Sequence, residues 1–253
     1  MKNNLSKRSI SWVIILIFCT LTSFQAYSKS VYELIENNQP YSQIEEHINH
    51  IGTDRANNEI NEMNPKFGIN AWHKALQLGR ADLLSLLREK GADVHKLSSR
   101  NFPPLFYAVQ GENIESIEYL IEQCQADVTW KDNFGYNFLH LCALKAQNQI
   151  ARKIESLRKQ SFGELIKSVG ENGNNPLHVC AEAILIPSLD QLNSEQKNFY
   201  GLSLDNQLDL IDFLIEKGVS TSEKNKKGLK PVELATHPEI IEKLQISIEE
   251  IAS

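Results

Sequence analysis

The sequence predicts an all-α solenoid, in which pairs of helices stack side by side along one axis. A similar stretch of residues recurs five times, beginning at residues 68, 101, 135, 173 and 228, so that the intervals are 33, 34, 38 and 55 residues. Four copies open with glycine, three have asparagine at the third position and three have proline at the fourth, and these residues favour a tight turn followed by the start of a helix. An apolar helical pattern follows each opening, and only a neighbouring copy can bury its apolar face. Together these observations predict stacked helix pairs.

The five stretches read GINAWHKALQLG (68–79), NFPPLFYAVQGE (101–112), GYNFLHLCALKA (135–146), GNNPLHVCAEAI (173–184) and GLKPVELA (228–235). Each resembles the ankyrin signature G-x-T-P-L-H-x-A. The segments that follow them, such as ADLLSLL (81–87) and EKGADV (89–94), resemble the ankyrin second helix and its closing turn. The chain is thereby similar to ankyrin-repeat proteins. The resemblance implies an array of five helix–turn–helix units with turn tips over residues 63–245.

The recurring residues have physical reasons to stand where they do. Glycine permits a positive φ in the turn, asparagine caps the helix, and proline suits the first helical position because no N–H is needed there. A buried leucine and a small residue follow in most units. The turn glycines are Gly68, Gly135, Gly173 and Gly228; the capping asparagines are Asn70, Asn137 and Asn175; and the prolines at the first helical position are Pro104, Pro176 and Pro231. The buried leucines are Leu105, Leu139 and Leu177, with Trp72 in their place in unit 1, and the small residues are Ala75, Ala108, Cys142, Cys180 and Ala235. Unit 2 departs from the pattern with Asn101, Pro103 and Phe106 in place of glycine, threonine and histidine, and unit 5 has Glu233 in place of histidine.

The first 28 residues have the layout of a bacterial-type secretory signal peptide. Positively charged residues precede an apolar stretch over residues 10–21, and Ala26 and Ser28 supply the small residues that a signal peptidase reads. We expect cleavage after Ser28 and export to the periplasm or out of the cell. An uncleaved anchor is the alternative, although the apolar run is shorter than the roughly 20 residues that a spanning helix needs.

The segments that flank and interrupt the array are predicted separately. Residues 29–62 are expected to form an N-terminal helical cap with amphipathic helices over 31–38 and 41–51, while 53–63 fits either a loop or a helix. An insert at about 184–206 lengthens unit 4, and it either lies on a working face or covers the outer edge of that unit. Residues 246–253 form a C-terminal tail.

Histidine and cysteine recur with the repeat, as His140 with Cys142 and His178 with Cys180. Residues two apart on a helix point about 200° apart, so neither pair can share a ligand face. Equivalent positions in neighbouring units lie roughly 8–10 Å apart, which is too far for a disulfide. We therefore expect buried structural residues and no metal site. The pair His47 and His50 is a weak zinc signal, for which a solvated helix face is the favoured interpretation.

Charge and motifs exclude several functions. The formal net charge is −6, and removal of residues 1–28 takes away three positive charges and leaves −9. An acidic chain without a basic face does not predict nucleic-acid binding. Neither a phosphate-cradling loop nor a nucleophile elbow occurs in the sequence. The sequence therefore predicts no enzyme activity and no cofactor.

The resemblance implies a surface instead of a reactive site. In ankyrin proteins the turn tips and the inner faces of the first helices line a concave groove that binds partner proteins. Carried over by register, the candidate contact residues are Phe67, Ile69, Arg100, Phe102, Asn133, Phe134, Tyr136, Lys145 and Asn172. Aromatic residues on solvated tips have no obvious folding role and are frequent binding anchors, although they could also pack against a neighbouring tip.

The functional prediction is a non-enzymatic, exported adaptor or accessory factor that binds another protein as a monomer, with no nucleic-acid or membrane contact after cleavage. Two alternatives remain. One is a secreted effector that acts on a host or competitor target. The other is a metal-dependent enzyme that uses the His/Cys pairs, and the geometry above disfavours it.

Overall fold

The computed structural model describes residues 29–183 and 204–252, and this part of the chain is helical, with one isolated β-bridge between Lys131 and Asn137. The predicted signal peptide, residues 1–28, and most of the insert, residues 184–203, lie outside the described residues. No helix in the described part is long and apolar enough to cross a membrane. The predicted all-α class is confirmed.

The N-terminal segment forms α1 (Val31–Glu36), α2 (Tyr41–Ile51) and α3 (Thr53–Asn61). The segment after residue 52, which the sequence left open between loop and helix, is therefore helical. The α1 helix begins with a capping box, because Ser30 accepts the N–H of Glu33 and the Glu33 carboxylate accepts the N–H of Ser30 at 2.8 Å. This pairing satisfies two N–H groups at the start of the helix that have no acceptor within the helical backbone.

The helix pairs of the array follow. The first helices of units 1 to 5 are α4 (Ala71–Gln77), α6 (Pro104–Gln110), α8 (Phe138–Lys145), α11 (Pro176–Glu182) and α13 (Pro231–Leu234). The second helices are α5 (Leu84–Glu89) after a 3-10 turn at Ala81–Leu83, α7 (Ile114–Glu118) continued by a π-helical turn at Tyr119–Gln123, α9 (Asn148–Leu157), α12 (Leu204–Glu216) and α14 (Pro238–Ala252). Unit 3 carries one more helix, α10 (Lys159–Ile166), which accounts for its greater length and which the sequence did not predict.

The predicted caps start these helices. The side chains of Asn70, Asn137 and Asn175 accept the N–H of the third helical residue at 3.0, 3.2 and 3.0 Å respectively. In the turn before α11, Gly173 has a φ of 74°, and a Cβ there would lie 2.9 Å from the backbone nitrogen of Lys226 in the next tip. Glycine is therefore required both by the backbone conformation and by the close approach of the neighbouring unit.

The core runs the length of the stack. Trp72, Leu105, Leu139 and Leu177 are at most 1% exposed, as are the small residues Ala75, Ala108, Cys142 and Cys180. The first helix of each unit packs on the first helix of the next, and α1 packs on α4 in the same manner. The N-terminal segment thus continues the stack at one end, so it buries the apolar face that unit 1 would otherwise expose.

One junction is less tight than the others. The first helices of units 2 and 3, α6 and α8, approach each other less closely than those of the other neighbouring units. Backbone hydrogen bonds join the tips of units 1 and 2 (Ser99 N to Gly68 O, 2.8 Å) and of units 4 and 5 (Lys226 N to Asn172 O, 2.9 Å), and a further bond joins units 3 and 4. Within the described chain no such backbone bond joins the tips of units 2 and 3.

Candidate functional site

The repeated histidines connect neighbouring units. In each case Nε2 donates to a backbone carbonyl of the next turn, from His73 to Lys96 at 2.9 Å, from His140 to Asn174 at 3.1 Å and from His178 to Leu229 at 3.0 Å. The other ring nitrogen, Nδ1, accepts the N–H of the asparagine that caps the same helix. These histidines are therefore structural, as the family resemblance implies.

Burial disfavours the charged forms of the repeated histidines and cysteines. Burial lowers the pKa of His73 and of His140 to about 4, because the charged ring loses its hydration. Burial raises the pKa of the Cys142 and Cys180 thiols to about 12, so the nucleophilic thiolate is not formed near neutral pH. The described residues contain no group of three or more potential metal ligands. The two cysteines behave as small apolar residues.

Unit 2 lacks the histidine connection. Phe106 stands at the histidine position and has no ring N–H to donate, so the bond to the turn of unit 3 cannot form. The looser approach of α6 and α8 coincides with this substitution. Aromatic side chains fill part of the space between the two units, and the remainder forms an open groove.

We call this space the aromatic groove. It lies on the first-helix side of units 2 to 4 and has a volume of about 390 Å³. Its apolar walls are Phe102 and Phe106 from unit 2; Trp130, Tyr136, Leu141 and Leu144 from the segment of unit 3; and Val179 from unit 4. Its polar lining includes His140, Asn137 and Asn174, whose side chains are held in the hydrogen bonds between and within units.

The rings of the groove hold one another in place. Phe102 stacks on Phe106 with ring centroids 4.1 Å apart, and Trp130 meets Phe102 edge-on at 5.6 Å. Trp130 also contacts Phe138, at 5.7 Å, so it lies between units 2 and 3. The lining also includes the Tyr136 ring, which lies 5.0 Å from the ring of His140. Such a set of mutually supported rings offers a preformed apolar surface.

Two of the predicted contact residues are exposed aromatics outside the groove. Phe67 is 42% exposed and Phe134 is 59% exposed, each on a turn tip. The Lys66 and Lys74 ammonium groups lie 4.9 and 5.2 Å from the centre of the Phe67 ring, so this tip carries cation–π contacts. Both rings are accessible to a partner.

The remaining predicted contact residues fall into different environments. Arg100, Asn133 and Asn172 are exposed on the tips. Phe102 and Tyr136 are half-buried in the groove walls. Lys145 is half-buried, and its Nζ already lies 3.4 Å from the Gln110 carbonyl oxygen and 3.8 Å from the Glu112 carboxylate.

The prediction for Ile69 is wrong. Its side chain is only 4% exposed and belongs to the main hydrophobic core. The residue directly precedes the helix cap Asn70, and at that point the chain turns inwards, so the apolar side chain packs beneath the tip. Position in the repeat located the tip correctly but did not give the direction of this side chain.

Sequence reasoning did not identify Phe106, Trp130, Leu141 or Val179 as groove residues. A signal was present. Phe106 breaks the histidine pattern in a unit that also carries Phe102, and this concentration of aromatic residues marks the irregular junction.

Comparison with known proteins agrees with this architecture. Residues 25–132 match the family model for ankyrin repeats in three copies. The chain is 31% identical over 106 residues to the human transient receptor potential cation channel subfamily A member 1, an alignment that covers 42% of this chain and 9% of the channel. The chain thus spans less than a tenth of that relative.

A solved structure shares the fold over most of the chain. It is a chain of the complex between a predatory endopeptidase from Bdellovibrio bacteriovorus and an immunity protein, with a TM-score of 0.63 and 20% identity over 87% of this chain and 98% of that chain. At this level of identity the likeness concerns the fold. Residues 25–132 thus match ankyrin repeats, and the stacked helix pairs with their capping asparagines and connecting histidines continue the same architecture through the rest of the described chain.

Proposed function

We propose that this protein is a non-enzymatic binding module that is exported from the cell and holds another protein against its concave face. Ankyrin repeats form protein–protein interaction modules, and the structural neighbour comes from a complex of two proteins. The observation that carries the proposal is the aromatic groove. An open cleft whose walls are mostly aromatic and aliphatic side chains is suited to holding an apolar side chain of a partner.

The dimensions of the groove support a protein partner. A volume of about 390 Å³ accommodates one or two large side chains. Leu144, on the open side, is 55% exposed, and Phe134 on the nearby tip is 59% exposed. Burial of these surfaces by a partner would release apolar area from water, which is the main favourable term in most protein association.

An enzyme of the same compartment is the partner class that we propose first. The solved complex that shares this fold pairs an endopeptidase with an immunity protein. By analogy, this chain would hold or restrain an exported enzyme. Fold likeness supplies the analogy, and the aromatic groove supplies the place of contact.

Affinity capture from the native cell tests the binding proposal. The tagged chain is compared with a variant carrying Phe102→Ala and Leu144→Ala, which removes one wall and the rim of the groove. We expect the captured partner to be lost or its affinity to fall at least about tenfold, because anchor residues dominate interface energies. The matched control is Ile246→Ala, which truncates an apolar residue of similar exposure, 48%, on α14. Equal capture by all three proteins would rule out the groove as the contact surface.

Export requires its own test. N-terminal sequencing of the protein from its own cell should give a chain that begins at Lys29, with the first 28 residues removed. Fractionation then separates the two candidate functions. Retention with periplasmic markers fits an accessory factor of the envelope, whereas accumulation in the medium fits the secreted effector. A chain that keeps its first residues and stays in the cytoplasm would contradict the export proposal.

A further inference from the structure

In the described chain, three of the four junctions between neighbouring units are closed by the same two hydrogen bonds on the tip side. A histidine Nε2 donates to a backbone carbonyl of the next turn, and a backbone N–H of the following tip donates to a carbonyl of the tip before it. At the junction of units 3 and 4 these bonds run from His140 to Asn174, 3.1 Å, and from Glu171 N to Phe134 O, 2.5 Å. Among the described residues, the junction of units 2 and 3 has neither bond, because Phe106 replaces the histidine and no backbone bond joins the two tips.

The hydrogen bonds that do join units 2 and 3 lie away from the tips. Gln147, which is 7% exposed, donates from Nε2 to the Val109 carbonyl oxygen at 3.1 Å and to the Glu112 carboxylate at 3.0 Å. Three further contacts lie in the same turns between first and second helices or along the second helices: Lys145 with Gln110, Lys153 with Glu118, and Arg158 with Ile121. We call this part of the junction the second-helix side. It is fixed by directional bonds.

On the tip side, contacts between aromatic rings stand in place of the missing bonds. Trp130 meets Phe102 and Phe106 of unit 2 with ring centroids 5.6 and 6.1 Å apart. Aromatic pairs are favourable in several arrangements, offset or edge-on, with centroids about 4.5–7 Å apart, whereas a hydrogen bond weakens steeply as its angle changes. The looser approach of α6 and α8 leaves the aromatic groove open beside these rings. The junction thus combines a fixed side with a side that can open.

We propose that the junction of units 2 and 3 is a hinge, which opens on the tip side about the fixed second-helix side and so changes the width of the aromatic groove. The hinge divides the described chain into two blocks: the N-terminal segment with units 1 and 2, and units 3 to 5. In a linear stack each unit contacts only its neighbours, so one weaker junction lets two rigid blocks rotate against each other. This inference goes beyond the proposed function, since it concerns the chain without a partner.

Distances between pairs of nitroxide spin labels, measured by double electron–electron resonance, test the hinge in the processed chain, residues 29–253. The pair Lys66→Cys with Asn133→Cys spans units 1 to 3 and includes the proposed hinge, whereas Asn133→Cys with Lys227→Cys spans units 3 to 5 and does not. All three positions are exposed on turn tips. Each pair crosses two junctions, or roughly 16–20 Å at 8–10 Å for each helix packing. We expect the distance distribution of the first pair to be at least about twice as wide as that of the second.

The native cysteines of the processed chain do not take up label in the folded state. Cys124, Cys142 and Cys180 are buried, and at most 4% of each is exposed. The chain without introduced cysteines, treated with the same nitroxide reagent, is the labelling control. Circular dichroism melting of each labelled variant establishes that the fold is retained.

A third pair distinguishes a hinge from general looseness. Ser85→Cys with Gln149→Cys spans units 1 to 3 as well, at exposed positions of the second helices α5 and α9. A hinge fixed on the second-helix side should give this pair a distribution as narrow as that of the tip pair in units 3 to 5. A junction that is loose throughout would instead broaden both sides.

The change His140→Phe tests the cause, because it gives unit 3 the residue that stands in unit 2. We expect it to broaden the distribution of the pair Asn133→Cys with Lys227→Cys by at least about half, since the bond to Asn174 is lost. The change His178→Phe removes the bond to Leu229 within the same span and serves if His140→Phe does not fold.

Equal widths for the two tip pairs would overturn the inference. A broad distribution on the second-helix side would do the same, as would an unchanged width in the folded histidine variant. Each of these outcomes leaves the proposed binding function standing, because affinity capture tests that function and the label distances do not.

Discussion

At the scale of single residues, the buried histidines show how one side chain serves both ends of a junction. His140 accepts a hydrogen bond from the cap of its own helix and donates one to the turn of unit 4. Both bonds require a neutral ring with the proton on Nε2. The pKa of this group, about 4, reflects the cost of charging a ring that is 2% exposed. A protonated ring would keep the donor and lose the acceptor.

The lowered pKa values of the buried histidines predict that acid destabilises the fold. The pKa of His73 and of His140 is about 4 in the folded chain, below the ordinary value of 6.5, so the unfolded chain binds protons first. The free energy of unfolding should therefore be insensitive to these groups above about pH 7 and fall as the pH drops from about 6.5 towards 4, by about 2–3 kcal/mol for each histidine. Urea unfolding at pH 7.5 and pH 4.5 measures the difference.

The controls isolate the two histidines from the carboxylates, which also titrate in this range. The double variant His73→Gln with His140→Gln should lose clearly less stability on acidification than the unmodified chain. The change His95→Gln, at an exposed histidine, should leave the loss unaltered. If the double variant loses as much as the parent, the buried histidines are not the cause.

At the scale of elements, the turn tips act together with the helices beside them. Backbone hydrogen bonds link most neighbouring tips. The Tyr136 wall of the aromatic groove depends on a separate contact, with Gly170. The Tyr136 ring lies directly across Gly170, where an added Cβ would meet the ring carbon Cε1. Glycine at this position therefore sets where the ring stands, although Gly170 itself is buried.

The change Gly170→Ala should displace the Tyr136 ring and deform the groove. Because the obstructed atoms belong to the end of a side chain, the ring can move while the backbone stays in place. We expect binding of the captured partner to weaken severalfold, with a melting temperature within about 5 °C of the parent, since the cost is a small local one. A crystal structure of the variant would show the ring position.

A matched glycine is available as the control. An added Cβ at Gly163, within α10, meets nothing within 4 Å. Gly163→Ala should leave binding unchanged and stabilise the helix by about 0.5–1 kcal/mol. Unchanged binding in Gly170→Ala, with the Tyr136 ring demonstrably moved, would show that this wall of the groove does not contact the partner.

At the scale of the whole molecule, the protein is a linear stack in which each unit contacts its neighbours. Local signals specify such a fold well, because every unit repeats the same turn, cap and buried positions. The caps Asn70, Asn137 and Asn175 and the connecting histidines lie where the repeat predicts them. The additional helix α10 was not predicted, because its residues occur once and have no counterpart in the other units.

The sequence by itself determined the all-α class, the phase of the units and the structural role of the histidines and cysteines, since these depend on hydrogen bonds and packing within a unit or between equivalent positions. Only the tertiary structure decided which side chains reach the surface. It buried Ile69, left Phe134 exposed, and opened the aromatic groove where Phe106 replaces a histidine. Surface shape depends on how closely two units approach each other and on the direction of each side chain. A repeat pattern read along one chain contains neither that distance nor that direction.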